Sequence, residues 1–137
     1  MVSKKQAKEL LKREIEELSV KQTAENLDEI LTDDWVVHLP GMDLRIEEVK
    51  EGYRKRFAEG RISDVVENLI ISGDMVVARW TNRFTPHTTG VEVCSSSISI
   101  DKIRDGKFAE SWYIGSDKPW LKRASHSLLN SLIPGYT

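Results

Sequence analysis

The chain has 137 residues, about the length of one domain, and its 31% charged and 39% hydrophobic residues set a globular balance rather than a disordered one. Its net charge is −2, with Lys and Arg interspersed among Asp and Glu, so it lacks the basic surplus expected of a nucleic-acid binder. No apolar run approaches the roughly 20 residues of a transmembrane helix, and the N-terminus has no apolar signal-peptide core. A cytoplasmic protein with neither nucleic acid nor membrane as partner is expected. The lone cysteine, Cys94, has no intramolecular disulfide partner and reads as a small buried or half-buried strand residue.

In chain order, residues 4–18 place Ala7, Leu10, Leu11, Ile15 and Leu18 at helical spacing. A second helix is predicted to start at Ser19 or Thr23, with Val20, Ala24, Leu27, Ile30 and Leu31 buried and Thr32-Asp33-Asp34 at its end. Trp35 to Leu39 reads as a short strand stopped by Pro40-Gly41. A third helix is expected from about Ile46 to Phe57, with Gly60 as its stop.

From there the apolar period changes from helical to two. Strands are predicted over Val65–Ser72, Met75–Phe84 and Val91–Ile103, the last with an unusual Ser95-Ser96-Ser97 run. Asp105-Gly106 is a strong hairpin signal, because a type I′ turn needs positive φ at both central residues. It leads into an aromatic strand from Phe108 to Ser116, followed by Asp117 and a short last helix from Pro119. The order ααβαββββ(α) is an α+β pattern: one domain whose curved antiparallel sheet wraps its helices.

The candidate chemistry gathers on the last strand. If Ser111, Tyr113 and Asp117 share its inward face, a hydroxyl donor stands on the same side as a carboxylate base. The alternative is that Asp117 caps the following helix. His38 lies on the face opposite Trp35, Val37 and Leu39, as a donor or acceptor to a ligand or as a satisfied structural histidine. Arg79 stands mid-strand, either binding a polar ligand group or pairing with Glu92 or Glu110. Trp35, Tyr53, Phe57 and Trp112 are candidate walls of an apolar cavity. The three histidines and one cysteine lack metal-ligand spacing.

The Trp35-to-Gly41 segment, the Asp74-to-Thr81 strand with the His87-to-Gly90 loop, and above all Gly106-Lys107-Phe108-Ala109-Glu110-Ser111-Trp112 resemble the SnoaL-like polyketide cyclase branch of the NTF2-like superfamily. The resemblance implies a cone-shaped α+β barrel with a deep pocket, a homodimer pairing sheet faces, and aldol or isomerase chemistry on a small apolar or aromatic carbonyl compound without metal or cofactor. It assigns Asp117 as base, Tyr113 and His38 as donors, and Trp35, Tyr53, Phe57, Arg79 and Trp112 as substrate-binding residues. The alternative is a ligand-binding or dimerisation module without catalysis. In one respect the chain departs from the pattern: Asp117 falls five residues after Trp112, where the family's acid falls four, and a one-residue shift reverses a strand side chain unless a bulge intervenes.

Overall fold

The computed structural model describes residues 3–115. Helix α1 (Lys4–Ile15) begins at a capping box: Ser3 Oγ accepts from the Gln6 N–H, and Gln6 Oε1 accepts from the Ser3 N–H. It runs into a π turn, Glu16–Val20, in which the Lys21 N–H reaches back to the Glu16 carbonyl. The apolar stripe buries Ala7, Leu10, Leu11 and Leu18.

The second predicted helix is replaced by a single 3-10 turn, Leu27–Glu29. Gln22 is the reason. It adopts φ +57°, a left-handed conformation that stops propagation of the preceding helix. Its carboxamide donates to the Leu18, Ser19 and Ile62 carbonyls and accepts from the Ile62 N–H. Four of its five apolar residues are nevertheless buried, Ala24, Leu27, Ile30 and Leu31, whereas Val20, expected inside, is exposed at the end of the π turn.

Strand β1 (Leu31–Leu39) is longer than the sequence suggested, and it forms a hairpin through Pro40-Gly41 with β2 (Met42–Arg45). Helix α2 (Ile46–Glu59) buries Ile46, Val49 and Tyr53. Strands β3 (Gly60–Ser72), β4 (Met75–Pro86), β5 (Val93–Arg104) and β6 (Lys107–Gly115) then form an antiparallel meander. The β5–β6 turn has φ +54° at Asp105 and +75° at Gly106, the signature its sequence predicts.

The sheet order is β2-β1-β6-β5-β4-β3. Together with the helices it makes an α+β, cone-like NTF2-type fold in which the sheet is curved and unclosed. The expectation of an antiparallel sheet is corrected at one pairing, because β1 and β6 run parallel. Cys94 is exposed rather than buried, since it alternates outward on β5 opposite Arg83. The expectations for Ser116, Asp117 and a last helix from Pro119 lie outside the described residues. Among the described residues, no helix is long and apolar enough to cross a membrane.

Candidate functional site

The concave face of the sheet and the α1–π turn line a half-open cavity of about 90 Å³. That is room for several waters or a compact organic molecule. Its walls are mostly apolar: Ile15 and Leu18 from the helical side, Leu27, Ile30 and Leu31 from the segment before β1, and Trp35, Val37, Leu39, Tyr53 and Trp80 around them. Strand alternation determines what else faces inward. On β5 the buried phase is Ser97, Ser99, Asp101 and Ile103, and on β3 it includes Ile62 and Asp64.

Three carboxylates therefore line a largely apolar cavity, Glu14 of α1, Asp64 of β3 and Asp101 of β5, and the two on the sheet are oriented by neighbours. The Trp35 Nε1–H donates to Ser111 Oγ at 2.9 Å, and the Ser111 hydroxyl donates to Asp101 at 2.5 Å. These groups come from β1, β6 and β5, with Asp101 and Ser111 directly paired across the ladder. The second cluster centres on Asn82 of β4, whose Nδ2 donates to Asp64 Oδ1 at 3.1 Å. Asn82 Oδ1 accepts from the Ser97 hydroxyl at 2.6 Å and, at 3.5 Å, from the Tyr113 hydroxyl. The backbone N–H of Asp64 donates to Ser19 Oγ on the π turn at 2.9 Å. Between the clusters, the Trp80 Nε1–H donates to Ser99 Oγ at 2.8 Å.

Of the residues singled out from sequence, Trp35, Tyr53 and Tyr113 line this cavity; Trp112 borders it from the outward phase of β6, with its ring against that of His38. Phe57 stacks on Tyr53 with ring centroids 5.8 Å apart. His38 is on the outer face of the sheet, in phase with Val36. Its Nδ1 pairs with Asp43 at 2.7 Å, its Nε2 pairs with Glu110 at 2.6 Å, and its ring lies 5.4 Å from that of Trp112. These hydrogen bonds, from Asp43 first and Glu110 second, raise the imidazole pKa above its ordinary value of 6.5. Arg79 is on the outer face as well, where it donates to Asn68 Oδ1 at 2.7 Å; Glu92 pairs instead with Arg83. Asp117 is outside the described residues.

Sequence reasoning placed Ser111 on the inward face of the last strand but missed Asp64, Ser99 and Asp101, as well as Glu14 on α1. The available signal was phase: each of the three strand residues is polar and in register with the buried side chains of its strand. Among the described residues, no group of three or more His, Cys, Asp or Glu side chains is gathered as a metal would require.

A family model described as the SnoaL-like domain matches residues 13–111. No curated protein sequence matches the chain. Among solved structures, TsrD from Streptomyces laurentii is similar with a TM-score of 0.73 at 21% identity, over 90% of this chain and 96% of that one. An NTF2-like protein of unknown function from Exiguobacterium sp. 255-15 gives 0.66 at 19% identity, over 80% and 99%. A SnoaL-like polyketide cyclase from Agrobacterium tumefaciens gives 0.64 at 18% identity, over 85% and 94%. At these identities the likeness is one of fold.

Proposed function

The chain belongs to the SnoaL-like domain family, and on that footing we propose that its cavity binds a small, mostly apolar carbonyl compound and enolises it by acid/base chemistry. The observation that carries this reading is the Asp101 carboxylate, which lines an otherwise largely aromatic and aliphatic cavity and is held by the Ser111–Trp35 pair. In the step itself, the carboxylate takes a proton from the carbon next to the carbonyl. The C–H electron pair becomes the enolate double bond, and the carbonyl π electrons move to oxygen. Return of the proton to the opposite face or to a conjugated carbon isomerises the compound, while attack of the enolate on a second carbonyl of the same compound closes a ring, the new alkoxide taking the proton back from the carboxylic acid.

The reading assigns the base to Asp101 rather than to Asp117 or His38. Both ring nitrogens of His38 are engaged on the outer face, away from the cavity. Trp35, Tyr53 and Tyr113 serve as walls. We further propose a homodimer that pairs outer sheet faces, as supported by the apolar residues exposed there: Ile98 and Ile114 are ladder partners, 49% and 70% exposed, with Ile70 two strands away at 64%.

Exchange of the α-hydrogens of cyclobutanone in heavy water tests the chemistry. The wild type is expected to accelerate exchange, and Asp101→Asn to slow it at least about a hundredfold while the fold persists. Exchange unchanged in Asp101→Asn would remove Asp101 from the role. Binding of the ketone without any exchange in the wild type would leave a binding module.

A further inference from the structure

We propose that the Ser99 hydroxyl is the group that receives the ligand's carbonyl oxygen, an assignment that rests on the enolisation reading above and adds the donor to it. A buried hydroxyl has one hydrogen to give and two lone pairs to offer. The inward hydroxyls of this wall differ in where that hydrogen goes. Ser97 directs it to Asn82 Oδ1, and Ser111 directs it to Asp101. Tyr113 directs its own toward Asn82 Oδ1.

Ser99 is different. Its oxygen accepts the Trp80 indole N–H at 2.8 Å, which occupies one lone pair and turns the hydroxyl hydrogen away from the indole. The residue is only 7% exposed and lines the cavity. Among the described residues, the Ser99 hydroxyl accepts this one bond and donates none. A buried donor without an acceptor is costly, and an incoming oxygen removes the cost.

The placement also fits the base. Ser99 and Asp101 are two residues apart on one strand and face the same way, with Cα atoms about 7 Å apart. A carbonyl oxygen on Ser99 and its α-hydrogen on Asp101 bridge that span once each makes a contact of hydrogen-bond length. As the enolate forms, negative charge grows on the oxygen facing the Ser99 donor, so the bond strengthens in the transition state. Trp80 then acts as a positioning residue, because its fixed N–H sets the direction of the Ser99 hydroxyl.

Ser19, on the helical side, also keeps its hydroxyl hydrogen while accepting from the Asp64 N–H. It stands by the other sheet carboxylate, Asp64, so it is the natural rival in a test.

The test compares two probes of matched shape, cyclobutanone and methylenecyclobutane, which carries CH2 where the ketone carries oxygen. Binding of each is followed through the tryptophan indole N–H resonances. In Ser99→Ala the affinity ratio of ketone to olefin should fall roughly three- to tenfold, the worth of one hydrogen bond. It should be retained in Ser99→Thr, which keeps the hydroxyl. An unchanged ratio in Ser99→Ala overturns the assignment while leaving the cavity reading intact, and so does a loss that follows Ser19→Ala instead. Failure of both probes to bind the wild type overturns the cavity reading and this assignment with it. Should Ser99→Ala not fold, the carbonyl stretch of cyclobutanone bound to the wild type decides: a shift below its frequency in an apolar solvent is expected, and no shift contradicts the donor.

Discussion

Trp35 and Trp80 are large apolar side chains with one polar atom each, and in both cases that atom meets a serine of the cavity wall. Ser111 is thus needed twice, by the Trp35 N–H and by the Asp101 carboxylate. Ser111→Ala orphans both, and a loss of about 1–3 kcal/mol in unfolding free energy is expected by denaturant titration. A loss near zero would mean that water replaces the hydroxyl. On the other face, His38 carries a pH signature. Its folded pKa is raised above 6.5 by Asp43 and Glu110, so its protonated form is favoured by folding. The resulting stability is fully present below about pH 6.5 and is lost as pH rises through the raised folded value. Thermal unfolding measured across that range should show a decline that His38→Asn flattens; parallel curves for the two proteins would refute it. The burial of Trp35 was legible, because a large aromatic alternating with apolar strand residues favours the core face. Asp64 and Asp101 were not recognised, because an acid within a strand reads as a solvent-facing position until the register of its neighbours is fixed.

At the scale of elements, α1, α2 and the hairpin at Asp105-Gly106 follow directly from apolar spacing, capping and turn chemistry. The region from Val20 to Ile30 does not. Its apolar residues have helical spacing and, Val20 excepted, are buried, but the Gln22 side chain takes over the carbonyls of the preceding turn and ties them to Ile62 on the edge strand β3. A side chain that substitutes for backbone partners leaves no trace in local periodicity. The junction of α2 with β3 is a second such case. Gly60 has φ 176°, an extended conformation open to any residue, yet a Cβ there would lie 2.4 Å from the Thr85 carbonyl oxygen and 2.5 Å from the Phe84 ring. Gly60→Ala is therefore expected to cost about 1–3 kcal/mol through overpacking. Thermal unfolding at the wild-type midpoint would contradict this.

For the whole molecule, the α+β order and the run of antiparallel strands were readable because consecutive strands joined by short turns pair with each other. The parallel contact of β1 with β6 was not, since it joins strands separated by most of the chain and no local pattern encodes it. That contact brings Trp35 to Ser111 and so completes the support of Asp101. The same sheet turns Ile70, Ile98 and Ile114 outward. If two copies pair through this face, Ile98→Glu with Ile114→Glu should convert a dimer to a monomer in sedimentation, and a monomeric wild type would exclude the pairing.

The most direct test of the central claim is a crystal structure of the protein soaked with cyclobutanone. The ketone is expected inside the cavity, with its oxygen at hydrogen-bonding distance from Ser99 Oγ and an α-carbon against the Asp101 carboxylate. A ketone bound on the outer face of the sheet, or held in the cavity with its carbonyl turned away from Ser99 and Asp101, would contradict it.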